Sequence, residues 1–299
     1  MKRIHLIGLG ALGGIYAAQV LKKNPKALTV IAHGERAENL KRSGIIVNKE
    51  KFDLEIESTP SEFADLILVA VKYHQLPSAM NDMKPFVGPD TAILSLLNGI
   101  SSEEILAEEF GMDKVIHGFG IEMDALKNGN EIHYKSLGRI VFGEKNATEK
   151  SARIKLIEDF FIEHNVPYEI PENIEKAMWF KFMLNAGVNQ VSSILGANFQ
   201  QFHSDGEPRR LMISISQEVV NLSQKLGINL GTNDIERMVE IINRLNPEGK
   251  TSMLQDIEAG RPTEVDYFAG KIIELGKKYD VPTPFNEMIF EKLKSKQKN

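Results

Sequence analysis

Ile4-His-Leu-Ile-Gly8-Leu-Gly10-Ala-Leu-Gly13-Gly14 stands near the start of the chain and decides its fold. Ile4 to Ile7 is a short, largely apolar run closed by glycine, the pattern of a buried strand. A helical run from Ile15 to Lys23 follows, and Leu28-Thr-Val-Ile-Ala32 reads as a second strand. Strand, G-x-G-x-x-G turn and helix in direct succession form the βαβ opening of a dinucleotide-binding domain. In such a turn Gly8 permits the bend, Gly10 lets the backbone approach a pyrophosphate, and Gly13 lets helix and strand close together. The free N–H groups at the helix start then face the phosphates. Gly8, Leu9, Gly10, Ala11, Leu12 and Gly13 are therefore the expected cofactor cradle; a merely structural glycine turn is the alternative.

The tip of the second strand bears on the cofactor. NAD sites usually place an acid there for the ribose 2′-hydroxyl. This chain reads Ala32-His33-Gly34-Glu35-Arg36, with no acid at the tip itself. His33 and Arg36 lean towards the 2′-phosphate of NADP, Glu35 remains a late acid, and ordinary loop solvation is the bland reading of all three. Further on, Ile45 to Asn48 and Phe52 to Glu57 alternate about a polar turn and suggest one hairpin. Asp65 to Val71 and Thr91 to Leu97 are near-continuous apolar runs, as strands of a parallel sheet covered on both faces must be. They end at Lys72 and at Asn98-Gly99. Ligands of open α/β sheets bind beyond the carboxyl ends of the strands, which makes Lys72 and Asn98 site candidates. A solvated lysine and plain turn chemistry are the competing readings.

Lys114 to Glu122, Glu131 to Tyr134 and Arg139 to Gly143 read as further strands, some antiparallel. A helix from Thr148 to His164 and a short strand from Val166 to Ile170 follow. Pro167 and Pro171 flank that strand, and the domain boundary is placed after Pro171. The expected division is a Rossmann domain over residues 1–171 and an all-helical domain over residues 172–299, giving an α/β fold class with a helical C-terminal half.

The helical half opens on Ala177-Met-Trp-Phe-Lys-Phe-Met-Leu-Asn-Ala-Gly-Val-Asn189. This stretch is apolar around its whole circumference, so it is expected to be enclosed by protein. Its polar exceptions, Lys181, Asn185 and Asn189, recur every four residues and stack on one face of a helix expected over Ile174–Leu195. Ser192 and Ser193 extend the stripe less strictly. A buried ammonium must have a partner or a task, because uncompensated burial costs several kcal/mol. The alternative is a lysine that snorkels to the surface above asparagines that satisfy backbone groups. A second polar cluster runs from Thr251 to Tyr267. Ser252 stands at a helix start, where a hydroxyl and free N–H groups can hold a carboxylate. Glu264 stands in the first turn of the next helix. Capping by Thr251 or Ser252, and a helix-dipole role for Glu264, account for the same residues without a ligand.

Composition narrows the chemistry. The formal net charge of -5 gives no basic footprint for nucleic acid. Lys292-Leu-Lys-Ser-Lys-Gln-Lys298 reads as a solvated helix end. The chain has no cysteine, which removes disulfides, thiolate nucleophiles and sulfur-bound metal. Its seven histidines lack ligand spacing, so no metal site is expected. Neither a G-x-S-x-G elbow nor a G-x-x-x-x-G-K-[ST] loop is present. No apolar window is long enough to span a bilayer, and the opening lacks signal-peptide character, so a soluble cytoplasmic protein is expected, with neither nucleic acid nor membrane as partner.

Taken together the motifs resemble those of the ketopantoate reductase (2-dehydropantoate 2-reductase) family over essentially the whole chain. The residues that carry the resemblance are Gly8 to Gly14, Val69-Ala-Val-Lys72, Asn98-Gly99, Trp179-Phe-Lys181 with Asn185 and Asn189, and Ser252-Met-Leu-Gln-Asp-Ile257 leading to Thr263-Glu264-Val-Asp266-Tyr267. The resemblance implies a Rossmann domain followed by a helical domain of the 6-phosphogluconate-dehydrogenase type. It implies NADPH as cofactor and reduction of 2-dehydropantoate to pantoate in pantothenate biosynthesis. By position, Lys181 resembles the family's catalytic lysine and Glu264 its acidic partner, which also reaches the cofactor. Asn98, Asn185, Asn189 and Ser252 resemble substrate or cofactor contacts, and Lys72 lies at the phosphate or nicotinamide end. His33 stands where the family often has arginine, and Asn198 falls near a substrate asparagine of the family, with a slip in the spacing. A reductase of another 2-oxo acid and a non-catalytic NADP(H)-sensing module are the alternatives; a homodimer is compatible with either.

Overall fold

The structure is a computed structural model and describes residues 1–297. Lys298, the last residue of the expected basic tail, and Asn299 lie outside the described residues. The chain divides into two compact units: residues Met1–Asn98 with Ser102–Ile174, and Gly99–Ser101 with the residues from Glu175 onward.

The first unit runs β1 (Ile4–Ile7), α1 (Ala11–Lys23), β2 (Thr29–Ile31), α2 (Gly34–Ser43), β3 (Ile45–Val47), β4 (Glu50–Phe52), β5 (Glu55–Glu57), β6 (Leu66–Val69), α3 (Leu76–Met83), β7 (Ala92–Ser95), α4 (Ser102–Phe110), β8 (Val115–Ile121), β9 (Asp124–Asn128), β10 (Glu131–Ser136), β11 (Arg139–Gly143), α5 (Ala152–Glu163) and β12 (Tyr168–Glu169). Eight strands form one sheet in the order β12-β11-β8-β7-β6-β1-β2-β5. The run from β5 to β8 is parallel throughout. Only β8 and β11 pair antiparallel in this sheet. Every residue of β1, β6 and β7 is buried. Apolar side chains covered on both faces are what a parallel sheet demands, and they explain why these strands show no alternation.

The expected single hairpin from Ile45 to Glu57 is two things. Residues Ile45–Val47 and Glu50–Phe52 do form an antiparallel pair. Residues Glu55–Glu57 leave it and extend the large sheet beside β2. Alternation continues unbroken through Phe52-Asp-Leu-Glu-Ile-Glu57, so the pattern fixes the faces but not the partner. The hairpin instead builds a second sheet, β4-β3-β10-β9, which packs on α1. Ile45, Val47 and Ile132 from that sheet join Ile15 and Ala18 of α1 in one core.

The second unit is helical: α6 (Ile174–Leu184), α7 (Gln190–Leu195), α8 (Glu207–Lys225), α9 (Thr232–Arg244), α10 (Ser252–Glu258), α11 (Ala269–Tyr279) and α12 (Pro284–Gln297). Its core gathers Trp179, Phe182, Met183, Val188 and Val191 against residues of α8, α11 and α12. The helix expected over Ile174–Leu195 is not uniform. A π-turn over Asn185–Asn189 separates α6 from α7. The segment is apolar on all sides and carries no periodic signal that would reveal a widened turn. Inside it, a Cβ on Gly187 would come within 2.6 Å of Ser216 Oγ, so α8 packs there against bare backbone. Gln190, just past the π-turn, bridges three segments. Its side-chain amide donates to Ala186 O at 2.9 Å and Asn286 Oδ1 at 3.3 Å, and its Oε1 accepts from Ala269 N at 3.0 Å.

Candidate active site

In the first unit the glycine turn has the geometry its sequence implies. Gly8 has φ +101°, and a Cβ there would lie 2.5 Å from Ala70 O on the neighbouring strand connection. A Cβ on Gly13 would overlap the Gly8 carbonyl. Both positions therefore admit only glycine, one for its backbone conformation and one for space. Leu9 is buried, Gly10 is exposed, and Ala11 and Leu12 are half-buried. Gly10 is the N-cap residue of α1, and no side chain caps that helix end. The tight turn and the uncapped N–H groups suit a dinucleotide pyrophosphate, which supplies the acceptors the helix end lacks.

Around the turn, His33 is the N-cap residue of α2 and is half-buried. Its Nε2 lies 3.9 Å from Asp82 Oδ1. Arg36 is exposed in the first turn of α2. Lys72 and Asn98, beyond the carboxyl ends of β6 and β7, are both half-buried.

Two residues here escaped sequence reasoning. Lys127 on β9 donates a hydrogen bond from its ammonium to the Leu9 carbonyl inside the glycine turn. Burial and then the Arg36 guanidinium lower its pKa. Its strand is mostly exposed and has no apolar alternation, so nothing in the sequence marks it. The other is Glu103, 2% exposed in the first turn of α4. Ser95 Oγ and Ser102 Oγ are 2.8 Å apart, and Ser102 Oγ donates to Glu103 Oε2 at 3.0 Å. Burial pushes the Glu103 carboxyl up to about 7, against the smaller opposing pull of backbone N–H groups and the Ser102 hydroxyl. Ser-Ser-Glu-Glu reads as an ordinary acidic helix start, which conceals a carboxyl turned inward.

In the second unit Lys181, Asn185 and Asn189 are all buried, at 8%, 7% and 7% exposure. Lys181 is therefore largely withdrawn from solvent. It sits in the last turn of α6, and both asparagines lie in the π-turn that follows. π-Turns inside helices cluster at functional sites. Glu264 is likewise buried. It does not open a regular helix as expected: it precedes the short 3₁₀ turn Val265–Tyr267, and α11 starts only at Ala269. Its carbonyl accepts from Tyr267 N at 3.0 Å and Phe268 N at 3.2 Å. The cap of α10 is Thr251, whose hydroxyl accepts from Leu254 N at 3.2 Å and donates to Ser192 Oγ at 3.1 Å. Ser252 is the first residue of α10 and is exposed, so its hydroxyl is not spent on capping. Ser193 Oγ and Asn198 Oδ1 are buried atoms with no hydrogen-bond partner within the protein. Buried polar atoms are normally satisfied, so these two orphans mark places for a ligand or water.

Among the described residues no group of three or more His, Asp or Glu is arranged to hold a metal ion. No helix among them is long and apolar enough to cross a membrane.

A doubly wound sheet with a glycine-rich turn, joined to a helical unit with a buried lysine, is the architecture of a nicotinamide-dinucleotide oxidoreductase. Two family models match the chain: "Ketopantoate reductase PanE/ApbA" over residues 4–147 and "Ketopantoate reductase PanE/ApbA C terminal" over residues 173–297. The chain belongs to the ketopantoate reductase family. An uncharacterized oxidoreductase of Bacillus subtilis, YkpB, is 27% identical, with 96% of each chain covered. The 2-dehydropantoate 2-reductase of Pyrococcus horikoshii is 26% identical over 99% of this chain and 97% of its own length. Among solved structures, D-mandelate dehydrogenase with NADH and anilino(oxo)acetate superposes with a TM-score of 0.87 at 24% identity, covering 99% of this chain and 98% of that one.

Proposed function

We propose that this oxidoreductase reduces 2-dehydropantoate to pantoate with NADPH, the ketone-reducing step of pantothenate biosynthesis. The observation that carries the reading is the burial of Lys181 in one continuous helical segment with Asn185 and Asn189. A structural helix gains nothing from a lysine held out of water. A ketone reductase needs a proton donor there.

In this reading residues 1–171 hold the nucleotide, with the pyrophosphate on the Gly8–Gly13 turn, and residues 172–299 supply the catalytic side chains. His33 and Arg36 face the adenosine ribose, and Lys72 and Asn98 serve the nicotinamide end. NADPH, when bound, supplies a hydride to the C2 carbonyl carbon. Lys181 donates a hydrogen bond to the ketone oxygen and gives up its proton as C=O becomes CH–OH. Glu264 keeps the lysine protonated until that moment and contacts the cofactor. Asn98, Asn185, Asn189 and Ser252 hold the carboxylate and hydroxyl of the substrate.

Relatives at 26–27% identity with different names favour a second reading, reduction of another 2-oxo acid. NADPH consumption measured with 2-dehydropantoate beside pyruvate, 2-oxoisovalerate and benzoylformate separates the two. The first reading expects the highest kcat/KM for 2-dehydropantoate. A preference for any other acid transfers the assignment to that substrate, and no consumption with any of them ends the catalytic reading.

A further inference from the structure

Lys127 occupies a position that strand alternation reserves for an apolar side chain. Across β9 and β10 it stands directly opposite Ile132. Cross-strand partners share a face. Ile132 is fully buried and lies so close to α1 that a Cβ on Gly14 would overlap it. The face of β9 that Ile132 shares thus carries a lysine, exposed as a whole residue but with its ammonium on the protein, while its neighbour Leu126 is turned outward and 57% exposed. For strand packing alone this order is inverted. It places an ammonium on the Leu9 carbonyl, at the mouth of the glycine turn.

The charges around this ammonium point to an anion. Two influences lower its pKa, partial burial of the ammonium first and the Arg36 guanidinium second. Neighbouring cations repel each other, a cost that a bound anion removes. Arg36 lies in the first turn of α2, directly after β2, the strand whose carboxyl end receives the adenosine ribose in this fold. His33, at the same helix end, has its buried Nε2 3.9 Å from Asp82 Oδ1. Glu35 is the acid adjacent to Arg36 and is exposed.

We propose that Lys127 and Arg36 form a two-cation clamp for the 2′-phosphate of the adenosine ribose, with Lys127 the residue that makes the chain select NADPH over NADH. The proposal rests on the dinucleotide reading above and adds a residue from the second sheet to that site. On binding, the Lys127 ammonium exchanges the Leu9 carbonyl for a phosphate oxygen, a stronger, charge-assisted acceptor.

The test is equilibrium binding of NADPH, NADH and adenosine 2′,5′-bisphosphate to the full chain and to Lys127→Gln, Lys127→Arg and Arg36→Ala. Wild type is expected to bind NADPH at least about tenfold tighter than NADH. Lys127→Gln should weaken NADPH and the bisphosphate by roughly tenfold and leave NADH within about twofold. Lys127→Arg should restore most of the loss, and Arg36→Ala should repeat the Lys127→Gln pattern. Equal weakening of NADPH and NADH, or no change in either, overturns the clamp. Wild type that binds NADH as well as NADPH overturns the clamp and leaves the dinucleotide reading intact. Wild type that binds neither nucleotide overturns the dinucleotide reading itself.

Discussion

Glu218 caps a helix to which it does not belong: from α8, its Oε2 accepts from both the backbone N and the Nδ2 of Asn286, at 3.0 and 2.7 Å, at the start of α12. Its Oε1 accepts from Phe285 N at 2.7 Å. A helix start has free N–H groups and a positive dipole end, so a carboxylate from a neighbouring helix satisfies both. Burial nonetheless raises the Glu218 pKa, outweighing these hydrogen bonds. Glu218→Ala leaves the N–H groups of Phe285 and of buried Asn286 without these acceptors and should lower unfolding free energy by about 2 kcal/mol. Glu218→Gln turns an amide N–H₂ towards a donor and should fall between the two. Urea unfolding followed by helical circular dichroism measures both.

Glu103 supplies a pH dependence. In the folded chain its carboxyl keeps a proton up to about pH 7, whereas its ordinary value is 4.5. Between those values the unfolded chain binds fewer protons than the folded one, so this group's contribution to stability falls as pH rises and levels off above about 7. The loss is about 3 kcal/mol across the window. Glu103→Gln cannot ionise. It should abolish that slope and make the variant more stable than wild type at pH 8, with little difference at pH 4.5. Thermal unfolding at a series of pH values reads the effect directly.

Gly13→Ala drives a methyl group into the Gly8 carbonyl; that carbonyl is backbone and the methyl has no torsion by which to swing aside. The turn must open, which should cost about 1–3 kcal/mol of stability. Nucleotide affinity should fall by at least roughly a hundredfold, since a displaced turn no longer directs its N–H groups at one point. Gly10→Ala is the contrast. Its Cβ would meet only Ala70 O, at 3.8 Å, so the fold should survive and only the approach of the pyrophosphate should suffer. Denaturant unfolding and nucleotide titration together separate the two outcomes.

The large sheet was legible because its strands are covered on both faces. Leu66-Ile-Leu-Val69 and Ala92-Ile-Leu-Ser95 are readable as buried strands without knowing any partner. The glycine turn was legible because glycine spacing there is set by backbone collisions. What stayed hidden depends on partners. Glu55–Glu57 alternates like the strand before it but pairs with β2, and pairing choice is tertiary. β9 has exposed, mixed side chains, so Lys127 gave no sign of reaching Leu9. In the helical unit the burial of Lys181 was readable from its apolar surroundings. The π-turn holding Asn185 and Asn189 was not, because a segment buried all round looks the same at any helical pitch.

The role given to Lys181 is tested most directly by single-turnover NADPH oxidation with 2-dehydropantoate in Lys181→Ala, alongside NADPH binding to the same variant. The expected rate is lower by at least roughly a hundredfold, the usual loss when a group that stabilises a developing oxyanion is removed, with NADPH affinity within about twofold of wild type. Oxidation at the wild-type rate with the cofactor bound would contradict it.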